Sequence, residues 1–276
     1  MGSGRRLKVL TVLLSAVAVV SVGCHYIDET FAEITRTNDI PYGAAVDENG
    51  QLETLHLDLY QPSGDTAPRR PVLIWVHGGG YTTGDKSSMA GLATAFAKRG
   101  YVSASISYRL RADADQHIYD AIKAAQHDAQ AAVRWFRANA GHYRIDSERI
   151  AIGGSSAGAI TALQVAYRSD DPGDSGNPGY PSHVAAAISI SGFAVDLDEI
   201  GPGDAPVVYF HSTRDPGRTR FESARNSCDI ALDRGLVCEF HPFDGSAHGL
   251  QLVQQHQDEI IGATARFLFR YLDLDA

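Results

Sequence analysis

The chain has 276 residues, of which 44% are hydrophobic and 21% charged, so it can bury a sizeable core and is neither a low-complexity nor a repeat protein. The 33 acidic residues outnumber the 24 Lys and Arg residues, which gives a formal net charge of −9 at pH 7. This balance disfavours nucleic acid as a partner, because an acidic chain is repelled by the phosphate backbone.

The amino terminus has the pattern of an export signal. Arg5, Arg6 and Lys8 precede an apolar run over residues 9–22. The run is too short to span a bilayer comfortably, and the order of basic, apolar and small residues favours a signal peptide over residues 1–23 rather than a buried helix. Its removal takes away three basic residues and no acidic ones, which makes the remaining chain still more acidic.

The first cysteine directly follows this segment. The sequence SVGC, with Gly23 before Cys24, resembles the lipobox of bacterial lipoproteins, although Ser21 stands where an aliphatic residue is usual. We expect Cys24 to be acylated, which predicts an extracytoplasmic protein anchored to a membrane; ordinary secretion after the same cleavage remains open. Export also favours a disulfide between Cys228 and Cys238, the alternative being two buried free cysteines.

Beyond a polar linker expected over residues 24–50, strand patterns alternate with helical ones. The strand candidates are LHLDLYQ, PVLIWVH, YVSASISY, RIAIGG, VAAAISIS, PVVYFHS and LVCEFHPF. The helix candidates are residues 88–99, 119–140, a segment starting at 156, 218–234 and 249–272. Several strands are continuous apolar runs, which indicates an α/β fold with a mostly parallel twisted sheet and helices on both faces. A Rossmann-type nucleotide binder is disfavoured, because no G-x-G-x-x-G follows the first strand.

Chemistry in such a fold is expected on loops at the carboxyl ends of the strands. After PVLIWV comes HGGGYTTGD, residues 77–85. Three successive glycines suit a flexible turn, and they also let backbone N–H groups approach a substrate carbonyl to form an oxyanion hole. We interpret His77 as an anchor of this loop rather than as a base.

The next loop contains a nucleophile motif. Gly154 and Gly158 flank Ser156 in the pattern G-x-S-x-G, between the strand RIAIGG and a small-residue helix. Its partner amide in an oxyanion hole would belong to Ala157. The adjacent Ser155 fits only a degraded pattern, so we interpret it as a small residue beside the turn.

A serine nucleophile requires a base and a group that orients the base. Asp215 follows the strand PVVYFHS, although Asp-Pro is also an ordinary turn signal. His248 follows the last strand, and Asp244 on the same loop competes for the acid role but lies only four residues from it. The chain order Ser156, Asp215, His248 is typical of α/β-hydrolases.

These motifs together resemble those of α/β-hydrolase carboxylesterases, close to the hormone-sensitive-lipase-like bacterial esterases. The resemblance extends from about residue 55 to 272 and includes HGGGY, SYRL, GGSSAGA, HSTRDP and GSAHG. It implies a catalytic domain over residues 51–276 that hydrolyses carboxylic esters. It implies these site residues: Ser156 as nucleophile, His248 as general base and acid, Asp215 as orienting carboxylate, and the amides of Gly79, Gly80 and Ala157 as oxyanion hole. The chain departs from the hormone-sensitive-lipase branch at Ser155 and Arg111, where that branch usually has Asp and Ala.

Two alternatives share these motifs, namely a serine peptidase and a catalytically inactive binding homologue. The peptidases that share this triad carry a large propeller domain, and an inactive homologue is expected to lose the serine or the histidine. No cofactor or metal is implied. The segment between VAAAISIS and PVVYFHS is too short for a helical cap. The other candidate covers are the 30 or so residues after Cys24, RLRADADQHIY and RSDDPGDSGNPGYPSH, and none of them shows an apolar amphipathic face. We therefore expect a minimal cap and a preference for acyl groups of about two to six carbons, free or attached to a polymer.

Overall fold

The computed structural model describes residues 25–275, and its centre is one eight-stranded β-sheet. The strands are β1 (Ile34–Val46), β2 (Leu52–Pro62), β3 (Arg70–Val76), β4 (Val102–Ile106), β5 (Ile145–Ser155), β6 (Ala186–Ile190), β7 (Val207–Ser212) and β8 (Cys238–Phe243). They lie in the order β1-β2-β4-β3-β5-β6-β7-β8. The pairs β1–β2 and β2–β4 are antiparallel and all other neighbours are parallel, which confirms the predicted mostly parallel sheet.

Helices cover both faces of this sheet. They are α1 (Ala90–Ala97), α2 (Ile118–Ala138), α3 (Ala140–Tyr143), α4 (Ala157–Tyr167), α5 (Phe221–Asp233), α6 (Leu250–Gln255) and α7 (Gln257–Tyr271). Alternate residues of β3 enter two different cores. Val72 and Ile74 pack in a core with α2, α4 and α5, whereas Leu73 and Trp75 pack in a core with α1, α6 and α7. Burial on both faces explains why β3 is apolar without alternation.

The prediction of a polar linker over residues 24–50 is wrong. Residues 34–46 form β1, the edge strand of the sheet, and the folded domain therefore begins before residue 51. Backbone hydrogen bonds to β2 hold this strand, and among its side chains only Tyr42 and Ala45 are buried. An edge strand that exposes most of its side chains lacks the apolar run by which the other strands are recognised.

Two helix boundaries also differ from the sequence prediction. The helix expected over residues 249–272 consists of α6 and α7, because His256 leaves the helical conformation with φ −132° and ψ 38°. Its ring packs on Phe243 with centroids 4.5 Å apart. The helix expected over residues 88–99 is a 3-10 turn, Lys86–Met89, followed by α1.

The predicted disulfide is present. Cys228 lies in α5 and Cys238 at the start of β8, with Cα atoms 5.6 Å apart. The bond therefore joins a helix to the strand that follows it.

The predicted signal peptide and Cys24 lie outside the described residues. Within residues 25–275, no helix combines the length and the apolar character needed to cross a membrane.

Candidate active site

The loops with predicted chemistry converge at the carboxyl edge of the parallel strands. Ser156 occupies the turn between β5 and α4 with φ 56° and ψ −117°, a conformation that non-glycine residues rarely adopt. A Cβ at Gly154 would overlap the backbone of Gly158, and a Cβ at Gly158 would overlap the carbonyl of Val76. The two glycines thus permit the close approach of helix and strand that this sharp turn requires.

The three predicted triad residues are in contact. Ser156 Oγ lies 2.7 Å from His248 Nε2, and His248 Nδ1 lies 2.8 Å from Asp215 Oδ2 and 2.9 Å from Oδ1. The Asp215 side chain is fully buried, whereas that of His248 is 29% exposed. The amide of Gly217 donates to Asp215 Oδ1 at 2.8 Å and fixes the carboxylate. This geometry allows a proton to pass from the serine to the imidazole.

The competing acid, Asp244, lies elsewhere. Its side chain is 85% exposed and forms an ion pair with Arg214 at 2.8 Å. It makes no hydrogen bond to His248 within the described part of the chain. The structure therefore favours Asp215 as the partner of the histidine.

The glycine loop after β3 lies beside Ser156. Gly79 has φ +122°, and its carbonyl accepts hydrogen bonds from the amides of Thr82 and Thr83, which close the loop into a tight turn. Gly80, with φ +62°, lines the same cleft as Ser156 and Ala157.

Two amides of this loop have no protein partner. Among residues 25–275, no acceptor pairs with the amides of Gly79 and Gly80. The Ala157 amide lies in the first turn of α4, where N–H groups have no intrahelical partner. The three amides predicted as an oxyanion hole thus make no hydrogen bond within the described part of the chain.

His77 and Ser155 are buried and are not among the residues that line the cleft. The His77 ring is 1% exposed, stacks on Tyr108 with centroids 4.4 Å apart, and has its Nδ1 2.7 Å from the carbonyl oxygen of Gly78. Burial lowers the pKa of His77 below its ordinary value. Ser155 is 2% exposed, and its hydroxyl lies next to Gly249 rather than in the cleft. Both observations agree with the supporting roles inferred from the sequence.

A cleft of about 450 Å³ opens above Ser156 and His248. Its walls come from α2, α4 and the loops that follow β3, β6 and β7. The remaining lining residues, none of which was identified as a site residue from the sequence, are Tyr81, Ile118, Tyr119, Ile122, Ile160, Phe193, Val195, Arg218 and Thr219.

One of the candidate covers, RLRADADQHIY, contributes Ile118 and Tyr119 to the cleft. Ile122 lies beyond that segment, one turn further along α2, and lines the cleft beside Ile118. The i, i+4 spacing of the two isoleucines places them on one face of the helix. By contrast, the loop over residues 168–183 lies against β1, where Asn177 Nδ2 donates to the carbonyl of Tyr42 at 2.6 Å.

No cluster of three or more metal-binding side chains occurs among the residues that the structure describes.

The sheet places a serine at a strand–helix turn, beside a histidine and an aspartate from later loops. This is the arrangement of α/β-hydrolases. The chain belongs to the BD-FAE family, whose family model matches residues 57–206. The resemblance found in the sequence and the predicted fold class are thereby confirmed.

Two curated relatives from Mycobacterium tuberculosis are named as esterases. The probable carboxylic ester hydrolase LipM is 31% identical over 235 residues, which cover 82% of this chain and 51% of LipM. The esterase LipQ is 35% identical over 142 residues, which cover 50% of this chain and 30% of LipQ. The chain thus spans about half or less of the length of these relatives.

Among solved structures, the chain is similar to native esterase Est2 from Thermogutta terrifontis. The TM-score is 0.70 with 23% sequence identity, and the match covers 88% of this chain and 93% of that one. At this identity the likeness shows the fold.

Proposed function

We propose that the protein is a serine carboxylesterase that hydrolyses short-chain acyl esters through an acyl-enzyme intermediate. The observation that carries the proposal is the continuous hydrogen bonding from Ser156 through His248 to Asp215, with distances of 2.7 and 2.8 Å, beside a cleft with free backbone donors. The named activities of LipM and LipQ support an ester as the substrate.

In the acylation step, Ser156 Oγ attacks the ester carbonyl carbon while His248 Nε2 accepts the hydroxyl proton. The carbonyl electron pair moves onto oxygen, where the amides of Gly79, Gly80 and Ala157 stabilise the negative charge. When the tetrahedral intermediate collapses, the bond to the alcohol oxygen breaks and that oxygen takes the proton from His248. An acylated serine and a free alcohol result.

Deacylation repeats these steps with water. His248 Nε2 removes a proton from a water molecule whose oxygen attacks the acyl carbon, and collapse returns the proton to Ser156 Oγ as the carboxylic acid leaves. Asp215 remains ionised throughout. Its carboxylate holds the tautomer in which Nε2 accepts a proton, and it stabilises the imidazolium that forms.

The cleft accounts for the proposed substrate size. Its volume of about 450 Å³ is shared between the acyl and alcohol parts of the ester. Ile122, Ile160 and Phe193 supply apolar contact, so each methylene that reaches them contributes up to ~0.8 kcal/mol. Tyr119 is 69% exposed at the rim, beyond which a longer tail meets solvent and gains nothing further. Between β6 and β7 the chain has only a 3-10 turn, Leu197–Glu199, and no helical cap.

The proposal is tested by comparing Ser156→Ala with Ser155→Ala. Turnover of a short chromogenic ester is expected to fall by about 10⁴-fold or more in Ser156→Ala, as in other triads, and to stay within about twofold in Ser155→Ala. Mass spectrometry of protein quenched during turnover should find the acyl group on Ser156. Near-normal turnover in Ser156→Ala would refute the mechanism, and faster cleavage of an aminoacyl anilide than of the ester would indicate a peptidase.

Acyl-chain preference is tested separately on a series of p-nitrophenyl esters. We expect kcat/KM to rise up to about six acyl carbons and then to level off or fall, because further methylenes lie outside the apolar walls. A steady rise through twelve or more carbons would show that the cleft continues as an acyl tunnel.

We also propose that the protein is exported and anchored through Cys24. The support is the order of basic, apolar and small residues before that cysteine. Cys24→Ser should move the protein from the membrane fraction to the soluble fraction or block its processing. Unchanged membrane association of the cleaved variant would contradict an acyl anchor.

A further inference from the structure

Two buried serines that take no part in the proposed chemistry hold the backbone on either side of His248. Ser191 Oγ accepts a hydrogen bond from the amide of Gly249 at 2.9 Å. Ser212 Oγ donates to the carbonyl of Ala247 at 2.6 Å. Both serines are at most 1% exposed. The histidine loop is therefore fixed by one hydroxyl from the end of β6 and one from the end of β7.

Ser191 also lies next to the nucleophile. The amide of Ser156 donates to the carbonyl of Ile190 at 2.9 Å, and the amide of Ser191 donates to the carbonyl of Phe210 at 2.9 Å. Two adjacent residues, Ile190 and Ser191, thus bind the backbone of the nucleophile and the backbone beside the base. A shift at this point changes the distance between Ser156 Oγ and His248 Nε2.

The conformation of Ser191 is itself unusual. Its φ of 57° lies in the left-handed region, which glycine adopts without the steric cost that a side chain imposes. A serine at this position keeps a hydroxyl that glycine lacks, and that hydroxyl is the acceptor for the Gly249 amide. Strained residues of this kind occur where the surrounding structure requires them, often at functional sites.

We infer that Ser191 and Ser212 are positioning residues that hold His248 in line with Ser156. The expected effect on kcat rests on the proposed function, whereas the expected effect on the position of the His248 imidazole rests on the hydrogen bonds alone. Loss of either hydroxyl leaves the fold in place but lets the imidazole move by a fraction of an ångström. Such displacements lower the rate of the chemical step more than they lower the affinity for the substrate.

The kinetic test compares Ser191→Gly, Ser191→Ala and Ser212→Ala with Ser189→Ala as control. Ser189 lies in β6, two residues before Ser191, is fully buried, and its hydroxyl has no partner among residues 25–275. We expect kcat to fall about 10- to 100-fold in the first three variants with KM within about twofold, and both constants to stay within about twofold in Ser189→Ala.

The glycine variant separates the hydroxyl from the backbone conformation. Ser191→Gly removes the acceptor and relieves the strain, so a kcat as low as that of Ser191→Ala identifies the hydroxyl as the cause. Wild-type kcat in Ser191→Gly, or an equal loss in Ser189→Ala, would overturn the inference for Ser191. Ser212→Ala gives an independent result if the Ser191 variants fail to fold.

A spectroscopic readout makes failure of this inference distinguishable from failure of the proposed function. The proton between His248 Nδ1 and Asp215 gives a downfield NMR signal whether or not an ester is turned over, and Asp215→Asn assigns it. We expect this signal to broaden or disappear in Ser191→Ala and in Ser212→Ala but to persist in Ser189→Ala. Its persistence unchanged in the Ser191 and Ser212 variants would refute the positioning role even if the wild-type protein proves to be an esterase.

Discussion

The Asp215→Asn variant is expected to lose about 10⁴-fold in kcat while remaining folded. The Gly217 amide donates to Asp215 Oδ1 at 2.8 Å, so in the variant the amide oxygen takes that position. The NH₂ group then replaces Oδ2, which lies 2.8 Å from His248 Nδ1, against 2.9 Å for Oδ1. A donor at the nearer position favours an unprotonated Nδ1, which places the proton on Nε2 and leaves Ser156 without a base.

The magnitude follows from two effects. The fully buried carboxylate stabilises the imidazolium by about 4 kcal/mol, for unit charges about 4 Å apart at an effective dielectric constant of about 20. That loss corresponds to about 10³-fold in rate. The wrong tautomer of His248 lowers kcat further, and the total effect of the same substitution in another serine hydrolase triad is about 10⁴-fold.

The assay is kcat on a saturating short-chain p-nitrophenyl ester, with thermal unfolding to verify that the variant is folded. Asp244→Asn is the matched control, because this residue is exposed and its carboxylate pairs with the exposed side chains of Arg214 and Thr213. It should retain kcat within about twofold. More than about a tenth of the wild-type kcat in folded Asp215→Asn, or a larger loss in Asp244→Asn, would refute the assignment of the acid.

Three further expectations concern stability. Gly158→Ala should lower the melting temperature, because the added Cβ would overlap backbone carbonyls at the end of β3. An unchanged melting temperature would contradict the close approach of α4 to β3. Reducing the Cys228–Cys238 disulfide should lower the free energy of unfolding by about 2 to 3 kcal/mol, measured in urea with and without reductant, and no difference would argue against it. Burial lowers the pKa of His77 and His211 from the ordinary 6.5, so below that pH the unfolded chain binds protons that the folded chain does not. As the pH drops from about 6.5, each of these histidines should lower the free energy of unfolding by up to about 1.4 kcal/mol per pH unit. A free energy of unfolding that stays constant down to about pH 5.5 would exclude this linkage.

The central strands could be predicted because burial on both faces leaves a continuous apolar run, as in β3 and β7. The edge strand β1 could not, since its stability comes from backbone pairing with β2 and its side chains are mostly exposed. The break at His256 also has no local signal, because the segment QQHQDE contains neither Gly nor Pro. At the break, the ring of His256 makes a tertiary contact with Phe243 that local sequence does not specify.

The residues of the triad could be located because each chemical role requires a particular residue type after a particular strand. The walls of the cleft carry no such requirement. Phe193 and Val195 come from a short loop after β6, and Ile160 lies in an α4 whose residues are all buried, so no periodicity distinguishes the face toward the cleft. Ser191 could not be identified from the sequence either, because a serine gives no local signal for the left-handed conformation that it adopts.

The start of the described chain bears on how an anchor at Cys24 would orient the cleft. Tyr26 packs on Tyr101 with ring centroids 5.4 Å apart, and the amide of Thr30 donates to the carbonyl of Lys98 at 3.0 Å. Both contacts lie just before β4, at the amino edge of the parallel strands, whereas the cleft lies at the carboxyl edge. The strands between them are about 20 Å long. We therefore expect the cleft of the anchored protein to face away from the bilayer and to act on water-soluble esters without interfacial activation. The membrane-bound protein and the soluble Cys24→Ser variant should show kcat/KM values within about twofold of each other on such an ester, whereas a severalfold lower value for the membrane-bound form would indicate a cleft turned toward the lipid.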